Sequence, residues 1–319
     1  DPSSVTSDKG KENLKNYEVF LTTLLGLLDR RKDLNRKINI FTTNYDGCLC
    51  HTADSLLMKG SHDFVVNDGT SGFHTKHLHS KNFSTFQCQT GVFERSNYGI
   101  PQLNIIYLHG SVYWSKSGDK IEVNYRNDFI NLLTEETLGN LNGYSEFLGV
   151  DGNRTEGIPS LEFRQDQIDI FWGEYNKLPI VNPTKWKFYE TVFEEHYYQM
   201  LRLLSYELEK PNSILITFGF SFADEHIATL TRRSAENNPT LKVIIFAYCD
   251  EEEESFKKNI GIDSTCVNNN ILIITPTKIK ELNVDEEYKN AVSDIEHLDM
   301  NAVNKIFEYI NKTIHASYE

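Results

Sequence analysis

The stretch NIIYLHGS, residues Asn104–Ser111, decides the fold because it has the pattern of a buried strand that ends at a histidine. Four apolar residues lead into His109 and Gly110, which break the run. In open α/β sheets, ligands bind in the crevice outside the carboxyl ends of the strands. Histidine is the side chain best suited to exchange a proton near neutral pH. The stretch therefore predicts a sheet with a proton-transferring group at its ligand-binding edge.

Two other segments end in the same way. KINIFTT, residues Lys37–Thr43, runs into Asn44–Asp46, and ILITF, residues Ile214–Phe218, runs into Gly219–Asp224. After Ile214–Phe218, helical and strand patterns alternate along the chain, which indicates parallel strands joined by right-handed crossovers. Because the carboxyl ends of parallel strands meet at one edge, we expect the three polar strand ends to converge on a single crevice.

Each of these strand ends also has a simpler interpretation. Thr43-x-x-Asp46 and Ser221-x-x-Asp224 both fit the capping box that opens a helix, which alone would account for all four residues. Asn44 is a common turn former. A single histidine is more often a structural residue than a catalyst. The three segments are informative because they occur together and in a particular chain order.

Taken together, Thr42–Asp46, Leu108–Gly110 and Gly219–Ile227 resemble the three signature segments of a sirtuin-like domain. The resemblance is to the bacterial branch that acts in anti-phage defence. Leu178–Pro183 is similar to the segment that precedes the long helix in that branch. The resemblance extends over about residues 37–250 with a large unmatched insertion. Its motifs are specific in combination and weak singly, and they imply a Rossmann-like domain.

The resemblance assigns a role to each motif. Asn44 matches the asparagine that holds the nicotinamide ribose and orders the attacking water, and Asp46 matches the aspartate near the nicotinamide amide. His109 matches the general base, which acts through the ribose hydroxyls. Gly219 and Ser221 match the loop that contacts the ribose and phosphates of NAD. The implied NAD-binding set also includes Thr42, Thr43, Gly110 and Asp224.

The activity implied by the resemblance is hydrolysis of NAD to nicotinamide and ADP-ribose, with NAD as the substrate and no metal. Cleavage of the glycosidic bond develops oxocarbenium character, which nearby oxygens and a positioned base stabilise. The implied role is abortive anti-phage defence in the bacterial cytoplasm, where depletion of NAD halts phage production. A homo-oligomer is expected, and a HerA-type hexameric ATPase is a candidate partner.

Two departures from the sirtuin pattern limit what the resemblance implies. Deacylating sirtuins carry a four-cysteine zinc module after the His-Gly motif, whereas Val112–Asn182 contains no cysteine, which argues against a protein deacylase. The family also opens with a glycine-rich phosphate loop, and the chain has no G-x-G-x-x-G run. Either the sequence begins downstream of that loop or the dinucleotide site is degenerate. The polar lead-in and single helix over residues 1–36 favour the first.

Charge and composition narrow the classes of function. The 319 residues carry 32 Lys and Arg against 46 Asp and Glu, a net charge of −14. This field repels polyanions, so direct nucleic-acid binding is disfavoured. No stretch of the sequence approaches the run of about 20 apolar residues that spans a membrane. Five cysteines without framework spacing suit a reducing cytoplasm.

Patterning divides the chain into an α/β domain and two insertions. The Rossmann-like domain is expected to comprise residues 1–59, 101–115 and 178–319, with helices on both faces of a parallel sheet. Residues 60–100 and 116–177 are expected to form a smaller covering subdomain, either a lid or a subunit interface. The helices predicted by periodicity are 15–34, 48–58, 128–138, 185–209, 224–236, 250–260 and 301–314.

The first insertion contains a cluster of histidines. His74, His77 and His79 suggest a zinc site, but they have no thiolate partner nearby. A β-rich segment that covers the crevice is the favoured interpretation. The residues expected to form its small core are Phe83, Phe86 and Phe93.

Two functions from other classes are alternatives. The first is a nucleic-acid-processing component of a defence complex with a HerA-type ATPase, for which salt-dependent DNA binding would be the signature. The second is a non-catalytic module that senses NAD or ADP-ribose, which the missing phosphate loop favours. Nucleotide binding without release of nicotinamide would distinguish this sensor from the hydrolase.

Overall fold

The computed structural model shows a mixed α/β protein in which parallel sheets and their helices form one hydrophobic core. Along the described residues, none of the helices has both the length and the apolar content needed to cross a membrane. The structure describes residues 7–29, 31, 34–90, 97–125, 164–175, 191–262, 269–282 and 284–316.

Strands and helices alternate along much of the described chain. The strands are β1 (Lys37–Thr42), β2 (Val65–Asn67), β3 (Thr70–Ser71), β4 (Lys76–Leu78), β5 (Cys88–Thr90), β6 (Asn97–Gly99), β7 (Gln102–Tyr107), β8 (Trp114–Ser117), β9 (Lys120–Val123), β10 (Ile214–Phe218), β11 (Lys242–Phe246) and β12 (Ile271–Ile274). The helices are α1 (Asp8–Asp29), α2 (Cys48–Lys59), α3 (Gln165–Tyr175), α4 (Thr191–Glu209), α5 (Glu225–Asn237), α6 (Glu253–Ile260), α7 (Pro276–Glu281), α8 (Glu286–Val292) and α9 (Met300–Ala316).

The predicted strand before His109 lies at the centre of a parallel sheet. Strand β7 pairs with β1 on one side and with β2 on the other. All the residues of β7 are buried, which agrees with the continuous apolar pattern of a strand that is covered on both faces. The predicted buried strand is therefore confirmed, and His109 lies just after its carboxyl end.

A second parallel sheet follows in the C-terminal half. Strands β10, β11 and β12 pair in that order, and both pairings are parallel. Helix α5 connects the first pair of strands and α6 lies in the second connection, which confirms the predicted alternation of strands and helices. The carboxyl end of β10 leads into the predicted segment Gly219–Asp224.

Helix α1 departs from its predicted bounds at both ends. It begins at Asp8 and ends at Asp29, whereas periodicity predicts residues 15–34. The guanidinium of Arg36 stabilises the helix end, because it donates to the carbonyls of Leu28 and Asp29 at 3.3 and 2.6 Å. These are carbonyls that the last turn of a helix leaves without an internal partner. The predicted bounds are wrong because this contact comes from a residue beyond the periodic stretch.

The other predicted helices vary in outcome. Those at 48–58, 224–236 and 301–314 are confirmed to within two residues as α2, α5 and α9. The helix predicted at 250–260 begins with a 3-10 turn, and α7 and α8 were not predicted. Helix α4 carries the C-terminal part of the helix predicted at 185–209, and residues 185–190 lie outside the described residues. The helix predicted at 128–138 also lies outside them.

The segment 60–100 is joined to the central sheet. Its strand β2 pairs with β7, while β3 and β4 continue into an antiparallel sheet with the β8–β9 hairpin that turns at Gly118. Phe83 is buried as expected, but Phe86 is 43% exposed. The prediction that both phenylalanines form one small core is therefore wrong for Phe86, and Phe93 lies outside the described residues.

A buried amide holds the second parallel sheet to helix α5. Asn270 is only 3% exposed, and its Nδ2 donates to the carbonyls of Ala235, Asn238 and Leu241 at 2.9 to 3.2 Å. These carbonyls lie where the chain leaves α5 and enters β11. Burying them without a donor would cost free energy, because each would lose its hydrogen bond with water.

We expect Asn270→Ala to lower the free energy of unfolding by about 2–3 kcal/mol, since the carbonyls of Ala235 and Leu241 lose this donor. The carbonyl of Asn238 still accepts the N–H of Leu241 at 3.1 Å. Urea denaturation followed by circular dichroism measures this change. The matched control is Asn237→Ala, because Asn237 is an exposed residue at the end of α5. A change of less than about 0.5 kcal/mol is expected for the control, as for other exposed positions. Equal effects in the two variants would contradict the assignment.

Candidate active site

The ends of β1 and β7 hold the first two predicted segments side by side. Leu108 donates its backbone N–H to the carbonyl of Thr42 at 2.8 Å, which extends the pairing past the strands. Farther along, Val112 donates its N–H to the carbonyl of Tyr45 at 3.0 Å. Since Tyr45 lies in the middle of the first segment, these bonds fasten that segment to the loop that follows His109.

Asp46 is anchored through both its side chain and its main chain. Its Oδ1 accepts the backbone N–H of Cys48 at 2.9 Å, and its carbonyl accepts the hydroxyl of Tyr107 at 3.0 Å. Helix α2 begins at Cys48 and has Gly47 as its N-cap residue. The capping box predicted from Thr43 is therefore wrong. Asp46 instead supplies a fixed, half-buried carboxylate at the amino end of α2.

Asn44 is an exposed residue of the same segment. Its backbone N–H donates to Oγ1 of Thr42 at 3.1 Å, and its side chain interacts with the hydroxyl of Tyr17 on α1. Burial, and then the negative charge of Asp46, raise the pKa of Tyr17 to about 12, so this hydroxyl stays protonated at neutral pH. The Asn44 amide is therefore oriented by a neutral neighbour while it remains open to solvent.

His109 contacts the third segment directly. Its Nε2 lies 3.1 Å from Oδ2 of Asp224, and both side chains are 20% exposed. Tyr197 on α4 donates its hydroxyl to the same carboxylate oxygen at 3.5 Å, and its ring centroid lies 6.2 Å from that of the imidazole. Because His109 follows β7 and Asp224 follows β10, this pair joins the carboxyl ends of the two parallel sheets.

The other oxygen of Asp224 is held by helix α5. Oδ1 accepts the backbone N–H groups of His226 and Ile227 at 2.9 and 3.2 Å, which makes Asp224 the N-cap residue. The predicted capping box with Ser221 as the cap is therefore wrong. Burial alone would raise the pKa of Asp224, but the hydrogen bonds from His109 and the helix outweigh it and lower the pKa to about 2. The carboxylate is ionised wherever a histidine titrates.

The loop between β10 and Asp224 contains a bulky residue in an unusual conformation. Phe222 has a φ of 57° and is 1% exposed. Its ring packs against Phe220, with centroids 4.8 Å apart, and against Phe256 on α6 at 6.3 Å. A left-handed conformation costs a non-glycine residue about 1–2 kcal/mol, so this packing is needed to hold it. No signal in the sequence points to Phe222, because phenylalanine is an uncommon residue at such a φ.

The remaining predicted residues fall into two groups. Thr42 and Gly110 lie where the first two segments meet, and Gly110 is buried with a φ of 83°. Thr43 is half-buried in the same loop. Gly219 and Ser221 are exposed on the loop after β10, where Gly219 has a φ of 62°. The structure therefore separates Thr42, Thr43 and Gly110, which are partly or fully buried, from Gly219 and Ser221, which are exposed.

A second hydrogen-bonded cluster contains the Tyr107 hydroxyl that binds the carbonyl of Asp46, and sequence reasoning missed it. Sγ of Cys50 lies 3.2 Å from the hydroxyl of Tyr107 and 3.8 Å from that of Tyr125. The hydroxyl of Tyr125 donates to Oδ2 of Asp68 at 2.9 Å. Burial raises the pKa of the Cys50 thiol, which keeps it neutral. The cluster therefore positions the Tyr107 hydroxyl that holds Asp46, and burial disfavours the thiolate form of Cys50.

The parts of the chain that the structure describes contain no group of three or more His, Cys, Asp or Glu side chains arranged to hold a metal ion. The polar groups at the strand ends are instead a carboxamide, two carboxylates and an imidazole: Asn44, Asp46, Asp224 and His109. Such a set can orient water, stabilise positive charge and accept a proton.

The fold and these contacts define a mixed α/β protein with a histidine–carboxylate pair at the carboxyl ends of its parallel strands. No protein-family model and no curated protein matches the chain.

Proposed function

We propose that the chain is a sirtuin-like NAD hydrolase that releases nicotinamide and ADP-ribose. The observation that carries the proposal is the 3.1 Å contact between His109 and Asp224. It joins the second and third predicted segments, while the bond from the N–H of Leu108 to the carbonyl of Thr42 joins the second to the first. Contact between the segments is not expected if they are only a structural histidine, a turn and a helix cap. It is required if they form one active site.

In the proposed reaction, water replaces nicotinamide at C1′ of the ribose, so that NAD⁺ and water give nicotinamide, ADP-ribose and a proton. Positive charge develops on the ribose ring as the glycosidic bond breaks, and nearby oxygens stabilise it. The exposed amide of Asn44 orients the water, and Asp46 binds the nicotinamide end. His109 accepts a proton through the ribose hydroxyls. Gly219 and Ser221 supply the exposed loop for the rest of the dinucleotide.

A Rossmann-like arrangement is part of the same proposal. Among the described residues, β1 and β10 are each paired on one side only. Ile214 and Ile216 on β10 are 65% and 40% exposed, which is unusual for apolar residues in a parallel strand. Two parallel sheets with open edges at β1 and β10 fit the two halves of a doubly wound sheet. Ligands of such folds bind at the switch point between the halves.

The biological role that we propose is anti-phage defence in the bacterial cytoplasm through depletion of NAD. This activity would harm an uninfected cell, so it has to be held inactive until a trigger arrives. A homo-oligomer or a HerA-type ATPase is the proposed means of control. The net charge of −14 favours a protein partner over direct contact with nucleic acid.

The first test is release of nicotinamide from NAD by the purified protein, alone and with its candidate ATPase. We expect Asn44→Ala to lower the rate by about 100-fold, or about 3 kcal/mol of transition-state stabilisation, because the attacking water loses its orienting group. Chromatography of nicotinamide and ADP-ribose measures the reaction. Asn301→Ala, at an exposed position on α9, is the matched control and should retain the wild-type rate. A wild-type rate in Asn44→Ala would remove Asn44 from the site.

A sensor that binds nucleotide without turnover is the second candidate, because the sequence has no glycine-rich phosphate loop. Calorimetric titration with NAD and with ADP-ribose measures binding independently of turnover. Binding of either nucleotide without nicotinamide release under any condition would support the sensor. Release that depends on Asn44 would eliminate it.

A further inference from the structure

We infer that Asp224 is a positioning residue that fixes the tautomer of His109, and that Nδ1 of His109 is thereby the atom left to accept a proton. This replaces the expectation that Asp224 binds NAD. The inference rests on the proposed function only for its kinetic consequences, because the tautomer of the free protein does not depend on a substrate.

Helix α5 fixes the orientation of the Asp224 carboxylate. Oδ1 of Asp224 is occupied by the backbone N–H groups of His226 and Ile227, which belong to the first turn of α5. Rotation of the side chain would break both of these hydrogen bonds. Oδ2 is therefore directed at His109, with the hydroxyl of Tyr197 as its other neighbour.

The proton between the two side chains belongs to His109. An ionised carboxylate only accepts hydrogen bonds, and a neutral imidazole has one N–H and one acceptor nitrogen. Nε2 of His109 lies 3.1 Å from Oδ2 and must therefore carry the proton. Burial, and then the charge of Asp224, raise the pKa of Tyr197, so its hydroxyl is also a donor to the carboxylate. The lone pair of the imidazole is consequently on Nδ1.

An asparagine at position 224 should reverse this arrangement. Its amide oxygen would stay on the two helix N–H groups, because the amide nitrogen cannot accept from them. The NH₂ group would then face Nε2 of His109, which would have to become the acceptor. The ring proton would move to Nδ1, where the lone pair had been. Asp224→Ala, in contrast, removes the partner without imposing a tautomer.

Long-range ¹H–¹⁵N NMR spectra of the uniformly labelled full chain test the tautomer directly, with the His109 signals assigned by their loss in His109→Ala. We expect the Nε2–H tautomer in the wild type and the Nδ1–H tautomer in Asp224→Asn. Asp285→Asn is the matched control. Oδ1 of Asp285 caps α8 through the N–H of Tyr288 at 2.8 Å, and its Oδ2 accepts the hydroxyl of Tyr309 at 2.7 Å. The wild-type tautomer in Asp224→Asn would overturn the inference.

The rates of two variants give a second test, because a positioning role predicts that Asp224→Asn is slower than Asp224→Ala. We expect Asp224→Asn to slow nicotinamide release by about 10³- to 10⁴-fold, as a wrong tautomer does in Ser-His-Asp triads. Asp224→Ala should slow it by only about tenfold, within the range of effects seen when a supporting group is removed. A residue that merely caps the helix predicts the reverse, because asparagine caps well and alanine does not.

The two tests separate the inference from the proposed function. The reverse order of rates, with the alanine variant slower than the asparagine variant, would overturn the positioning role. A wild-type protein that releases no nicotinamide, either alone or with its candidate ATPase, would contradict the proposed hydrolase, while the NMR spectra would still decide the tautomer.

Discussion

Replacement of His109 by alanine is expected to slow nicotinamide release by about 10²- to 10⁴-fold, the range typical for loss of a general acid or base. This corresponds to about 3–5 kcal/mol of transition-state stabilisation. The reason is that the imidazole is the one group at the end of β7 that can exchange a proton at neutral pH. The fold should persist, because His109 is partly exposed and Tyr197 remains hydrogen-bonded to Asp224.

The measurement is steady-state nicotinamide release together with the unfolding midpoint of each variant. His226→Ala is the matched control, because His226 is an exposed histidine on the first turn of α5, next to the same aspartate. We expect this control to keep the wild-type rate and midpoint. Loss of activity in both variants to the same extent would indicate a general disturbance of the loop. Wild-type turnover in His109→Ala would exclude the imidazole from the chemistry.

Five strands of the two parallel sheets could be predicted because they have continuous apolar runs. The exception is β2, which has only three residues and lies in the segment expected to be an insertion. The same runs located Asn44 and His109, since polar residues directly after such a run lie at the carboxyl edge of the sheet. The end of α1 could not be predicted in this way. It depends on Arg36, which reaches back to the helix from the next connection.

The contact between His109 and Asp224 could not be predicted from either segment alone. The two residues are separated by 115 positions, and each follows a strand of a different sheet. The sequence around Asp224 also fits a capping box that begins at Ser221. In the structure, Phe222 takes a positive φ, so the chain turns there and helix α5 begins three residues after Phe222. The capping-box interpretation failed because Phe222, inside the proposed box, has a positive φ.

The largest effect on stability is expected at Phe222. Phe222→Ala should lower the free energy of unfolding by about 3–5 kcal/mol, the usual result of removing a buried aromatic ring. Phe222→Gly removes the same contacts with Phe220 and Phe256. Glycine, however, takes a positive φ without the steric cost that alanine incurs. The Phe222→Gly protein should therefore be more stable than the Phe222→Ala protein by about 1 kcal/mol.

The sign of the difference between glycine and alanine is the decisive quantity. Phe256 provides the control, because it contacts the same ring and is 5% exposed but lies within helix α6. The Phe256→Gly protein should be less stable than the Phe256→Ala protein by about 1 kcal/mol, as in other helix interiors. Urea unfolding of the four variants measures both differences. The same sign at both positions would mean that Phe222 stores no backbone strain. Opposite signs would mean that the packing of Phe222 maintains a strained turn, which directs Asp224 toward His109.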